Sequence, residues 1–162
     1  TIAALSTAAL AALSTSQIAA LCTASLQVLS SDQVVALTTA QAAALNSAQV
    51  AALSASQVAA LETQELASLT TASIAALSSD AAAALSTAQI QALATRQISA
   101  LSTVDVSVLS TEQLNALSSS QVSALTTAQV ASLSTVASMP LSALQTSRIA
   151  ALSTSAVMAL ST

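Results

Sequence analysis

Leucine marks the chain every eighth residue, at Leu5, Leu13, Leu21 and onward without a gap to Leu141, and a Ser/Thr pair usually follows it. From Ser6 to Leu141 the chain reads as seventeen octads of the form Ser/Thr, Ser/Thr, variable, Gln, Val/Ile/Leu, Ala-like, Ala, Leu, numbered as positions 1 to 8. Ser118–Leu125 and Thr126–Leu133 are adjacent copies. Self-similarity at a fixed period governs the architecture before any other feature.

A single continuous helix does not fit this period. At 3.6 residues per turn, residues eight apart are rotated by about 800°, so the leucine row drifts about 80° per repeat. Holding an octad seam needs about 4.0 residues per turn, well beyond the small over- or under-winding of coiled coils. Strands fit no better, because Val-Ala-Ala-Leu is an apolar run without alternation. A β-solenoid is the alternative fold, although the chain has no Gly for tight corners.

The octad instead carries a complete helix-start signal. Position 1 is Ser, Thr or Asn in fourteen of seventeen repeats, the exceptions being Cys22, Glu62 and Ala94; these three types are strong N-caps. Position 4 is Gln in ten: Gln17, Gln33, Gln41, Gln49, Gln57, Gln89, Gln97, Gln113, Gln121 and Gln129. Ser/Thr followed three residues later by Gln is a capping box, and the Leu before the cap with the Val/Ile at position 5 makes a hydrophobic staple. All six acids lie at positions 1, 3 or 4, in the first turn, where the helix dipole favours negative charge.

The prediction is an all-α fold: an α-solenoid of very short helices restarting every eight residues. Positions 5, 7 and 8 are expected in the core, and position 6 partly exposed. Arg96 (position 3) and Arg148 (position 4 of its repeat) point to a solvent face at positions 3 and 4. Without Gly, each link turns through an extended residue at position 1. Two helices per coil give 16 residues and three give 24, and the pattern does not choose; at a spacing of 10 Å the rod is roughly 65–100 Å long. Helices this short do not form alone, so stability is shared along the stack.

The chain is read as a single repeat array over 1–162. Residues 134–144 form an eleven-residue unit containing Pro140, read as a tolerated irregularity, and two further octads occupy 145–160. The array begins and ends partway through a repeat and shows no polar caps, so it is expected to be a segment of a longer one.

Composition narrows the function. The 162 residues are 54% hydrophobic and 5% charged, with no Gly, aromatic residue, His or Lys, and a net charge of -4. Only Arg96 and Arg148 are positive, too few to neutralise a run of phosphates, which argues against nucleic acid as a partner. Mean hydropathy is +0.80, but polar residues interrupt every octad, whereas a membrane span needs about 20 mostly apolar residues.

Candidate chemistry is sparse, and no catalytic, cofactor-binding or metal site is assigned. Glu62 and Glu65 are the one close acid pair; both fit first-turn roles, and no basic or His neighbour makes them a catalytic dyad. Asp32, Asp80 and Glu112 recur at position 3, too far apart in sequence for the close oxygen cage calcium needs. Cys22 replaces the near-isosteric Ser at an N-cap and is read as neutral. Serine nucleophiles lack a His or Lys activator. The chain is therefore expected not to be an enzyme and to need no cofactor.

The phrases at 47–53 (Ser-Ala-Gln-Val-Ala-Ala-Leu) and 126–133 (Thr-Thr-Ala-Gln-Val-Ala-Ser-Leu) resemble octapeptide-repeat tracts of long bacterial surface or secreted proteins of the adhesin type. The resemblance covers the chain apart from 134–144. It implies an extended, extracellular or cell-surface structural role without catalysis. The expected function is a thin rod, fibre or stalk that self-associates laterally or end to end. The alternatives are an ice-binding surface built from the Thr/Ser residues at position 2 and a protein-binding scaffold.

Overall fold

The computed structural model describes residues 2–134 and 149–159. After a short 3-10 turn at Ile2–Ala4, sixteen α-helices follow one another to Ser134. They are α1 (Thr7–Ala11), α2 (Thr15–Ala19), α3 (Thr23–Gln27), α4 (Ser31–Val35), α5 (Thr39–Ala43), α6 (Ser47–Ala51), α7 (Ala55–Ala60) and α8 (Thr63–Ser68). The series continues with α9 (Thr71–Ala75), α10 (Ser79–Ala83), α11 (Thr87–Ala92), α12 (Thr95–Ala100), α13 (Thr103–Ser107), α14 (Thr111–Ala116), α15 (Ser119–Ser123) and α16 (Thr127–Ser134). A last helix, α17, spans Thr154–Ala159. The described residues contain no strand, which removes the β-solenoid.

Most helices start where a side-chain cap places them; Cys22, Glu62 and Ala94 make no such bond. Ser30 has an extended backbone (φ -71, ψ 162) and its hydroxyl accepts the Gln33 N–H, while the Gln33 side chain accepts the Ser30 N–H. The helix then runs for little more than one turn. Its closing bond is short-range: the Leu37 N–H donates to the Val34 carbonyl three residues back. After α7 the leucine itself leaves the helix extended (Leu61, φ -59, ψ 135) and the next cap, Glu62, is also extended. Two extended residues in succession therefore make the corner. No described residue has positive φ, so the link dispenses with the left-handed residue that glycine normally supplies.

Helices stack on the third one along: α2 on α5, α5 on α8, α8 on α11, α11 on α14, with the other two series packed in the same way. The next contact comes from farther off, since position-4 side chains bond to carbonyls 28 to 31 residues earlier. One turn of the solenoid therefore takes between three and four octads, and neither 16 nor 24 residues. At a 10 Å spacing the expected rod shortens to about 55–60 Å.

A single apolar core runs up the axis, built from position 5 (Val34, Val50, Val58, Leu66, Ile74, Ile90) and position 8 (Leu37 through Leu133). Two expectations need correction. Position 7 is only half-buried, because its Ala lies at the corner, as at Ala36, Ala44 and Ala52. Position 4 does not face solvent: from Gln33 to Gln129 it is buried, Gln41 at 1% and Gln97 at 0% exposure. Position 3 is exposed, as at Asp32 and Arg96. Pro140, Arg148 and all but the first residue of the 134–144 unit lie outside the described residues. Beyond them, α16 packs against α17, and the Ser123 hydroxyl donates to the Ala151 carbonyl at 2.7 Å.

Candidate functional site

The recurring chemical feature is the amide of the position-4 glutamine. Gln57 shows its full use. Its Oε1 accepts the Ser54 N–H at 2.9 Å, the local half of the capping box. Its Nε2 donates to the Leu29 carbonyl at 2.8 Å and to the Leu26 carbonyl at 2.8 Å. Those carbonyls belong to the C-terminal end of α3, one solenoid turn earlier; the Leu26 carbonyl also accepts the Leu29 N–H, and the amide adds a second donor to it. One side chain thus caps the start of its own helix and the end of the helix below.

The same joint recurs at Gln33, Gln41, Gln49, Gln89, Gln97, Gln113, Gln121 and Gln129, each donating to a carbonyl 28 residues back at 2.6–2.8 Å. Gln17 makes the local box and is exposed. Ser73 substitutes in α9: its hydroxyl receives the Thr70 hydroxyl and donates to the Leu45 carbonyl, again 28 residues back, at 2.9 Å. Ala94 cannot accept at its cap, so the Gln97 N–H turns to the Ala94 carbonyl, while the Gln97 Oε1 still takes the Ala94 N–H at 2.8 Å. A second rung appears where position 7 is serine: the hydroxyls of Ser68 and Ser132 donate to the carbonyls of Thr39 and Thr103, both at 3.1 Å.

The sequence carried one signal of this joint. A capping box is served by Glu as well as Gln, and negative charge is favoured in the first turn. Yet position 4 is Gln ten times and Glu once in the seventeen octads. That preference marks a site needing a donor, which a carboxylate lacks.

The acids are not gathered. Asp32, Asp80 and Glu112 lie exposed on α4, α10 and α14, and no group of three or more acidic or cysteine side chains among the described residues is arranged to hold a metal ion. The Glu112 carboxyl is held below the usual carboxylate range by its own backbone N–H and then by the Ser110 hydroxyl. Asp105 takes the glutamine's place in α13, is 2% exposed, and accepts the Ser102 N–H at 2.9 Å. Glu62 and Glu65 diverge: Glu62 is exposed at the N-cap of α8 and makes no side-chain cap bond, whereas Glu65 is buried. Cys22 keeps the extended cap backbone but caps nothing. Its thiol lies 3.1 Å from the Ser25 hydroxyl, which holds its pKa below the ordinary thiol value. Position 2 is threonine in five helices packed in succession, at Thr15, Thr39, Thr63, Thr87 and Thr111. Among the described residues no helix is long and apolar enough to cross a membrane.

The protein is thus a repeat protein, a helical solenoid whose turns are joined by glutamine amides. The sequence profile of the ALTTAQ repeat family matches residues 19–47, 58–95 and 98–135, and the chain belongs to that family. The phrase itself stands at Ala36–Gln41 and Ala124–Gln129. In the structure it runs from the end of one helix through the leucine corner and the cap to the coil-joining glutamine. No curated protein and no solved structure matches the chain.

Proposed function

We propose that the chain is a non-catalytic structural element, a length of rod that serves as fibre, spacer or stalk on the cell surface or outside the cell. The observation that carries this reading is the double use of glutamine. The octad positions that repeat most faithfully are consumed in capping, corner-making or core, leaving only positions 2, 3 and 6 to vary at the surface. Such a chain lengthens by adding octads without redesign, because each new turn meets the same carbonyls. The low charge of the surface favours association with further copies.

Two measurements test the reading. Electron microscopy of arrays of increasing octad number gives a length growing linearly, by about 0.3 Å per residue for turns 8–10 Å apart; a globule of constant aspect ratio contradicts a rod. Antibody labelling of intact against permeabilised cells tests the location, and signal only after permeabilisation contradicts the cell-surface assignment.

The five-threonine column is the observation that favours a second reading, an ice-binding face. A thermal-hysteresis assay decides it, and freezing without hysteresis removes it.

A further inference from the structure

Glu65 breaks the rule of the joint from inside it. It occupies position 4 of α8, is 7% exposed, and its Oε2 is buried without a hydrogen-bond partner. The register of the solenoid sets it against the end of α4: the residues 28, 30 and 31 places earlier are Leu37, Val35 and Val34. In the preceding coil the carbonyls at those three offsets, from Leu29, Gln27 and Leu26, all lie within hydrogen-bonding reach of Gln57 Nε2. As a carboxylate, Glu65 brings no such donor. It sets acceptor oxygen against acceptor oxygens, at the helix end where the dipole is negative, in an interface closed to solvent. Desolvated acceptors of one sign are costly unless a positive or donating group lies between them.

We infer that Glu65 and the carbonyl oxygens at the C-terminal end of α4 form a binding site for a monovalent metal cation, Na+ or K+. The donor set selects the class. One carboxylate and backbone carbonyls supply hard oxygens with a single negative charge. Carbonyls at helix ends coordinate Na+ in this way, and rings of carbonyls coordinate K+. Calcium takes 6–8 oxygens, usually with several carboxylates, and no such acidic group is gathered among the described residues. The ion takes over the role that the glutamine amide plays elsewhere, so one joint in the middle of the stack holds through a salt ion while those of α5 and α11, packed on either side of it, hold through the amides of Gln41 and Gln89.

The test is thermal unfolding of the full chain at constant ionic strength in NaCl, KCl or tetramethylammonium chloride. The Glu65→Gln variant restores the amide of the other repeats and so folds; Glu112→Gln removes one exposed acid as a charge control. The wild-type chain and Glu112→Gln are stabilised by Na+ or K+ over tetramethylammonium, the folding equilibrium shifting about tenfold when the ion stands tenfold above its dissociation constant, and Glu65→Gln shows no difference between salts. A wild-type chain indifferent to the cation, or an equal response in Glu65→Gln, overturns the site.

Discussion

Gln57 and Leu29 stand 28 residues apart in sequence and 2.8 Å apart in space, side-chain amide nitrogen to backbone carbonyl oxygen. This pair marks the pitch of the solenoid. The helix face packs on the helix three octads away, while the amide reaches the end of the helix four octads away. Nothing in the octad alone requires that offset, and it does not depend on the length of the glutamine side chain, since the shorter Ser73 reaches the Leu45 carbonyl at the same 28-residue offset.

Replacing the amide separates its two roles. Gln57→Glu keeps the acceptor for the Ser54 N–H and removes the donor to Leu29 and Leu26. It is expected to destabilise the array by about 2–3 kcal/mol, since the buried carbonyls lose the amide donor and face a carboxylate. Gln17→Glu, where the side chain is exposed and bonds only to its own cap, changes stability by less than about 0.5 kcal/mol. Urea midpoints of the two variants measure the contrast.

The caps predict a gain as well as a loss. Ser110→Ala removes the hydroxyl that accepts the Gln113 N–H and costs about 1 kcal/mol. Ala94→Ser supplies the missing acceptor opposite Gln97 and is expected to stabilise by about 0.5–1 kcal/mol. Thermal melts of the two variants move in opposite directions.

Core and surface apolar positions separate cleanly. Ile90 is fully buried at position 5, and Ile90→Ala is expected to cost about 2–5 kcal/mol in denaturant titration. Val35, at position 6, is 43% exposed, and Val35→Ser changes stability by less than about 0.5 kcal/mol.

The thiol of Cys22 offers a test by reactivity. The Ser25 hydroxyl lowers its pKa, so at a fixed mildly alkaline pH more of it is thiolate, the reactive form. Ser25→Ala raises the pKa, reduces the thiolate fraction at that pH, and shifts the pH profile of iodoacetamide alkylation upward. An unchanged profile contradicts the contact.

Helix starts, caps and boxes were legible in the sequence because their bonds span three or four residues within one octad, as between Ser14 and Gln17. The core at positions 5 and 8 was legible for the same reason. The burial of Gln41 or Gln121 was not, because the partner lies a full turn away and every octad carries the same phrase, so no 28-residue period is written in the chain. A polar side chain then reads as a surface one. Position 7 departs from the core pattern because alanine is apolar yet small enough to sit at a corner half in water. In the sequence Glu65 fits a first-turn charge; only the joint around it makes its lack of a donor visible.

The most direct measurement of the central relationship is a set of nuclear Overhauser contacts from the Gln57 side-chain amide protons in isotope-labelled protein. They are predicted to reach Leu29 and Leu26, one solenoid turn earlier. Contacts instead to residues 16 or 24 places back, or to solvent alone, contradict the glutamine joint and the pitch it marks.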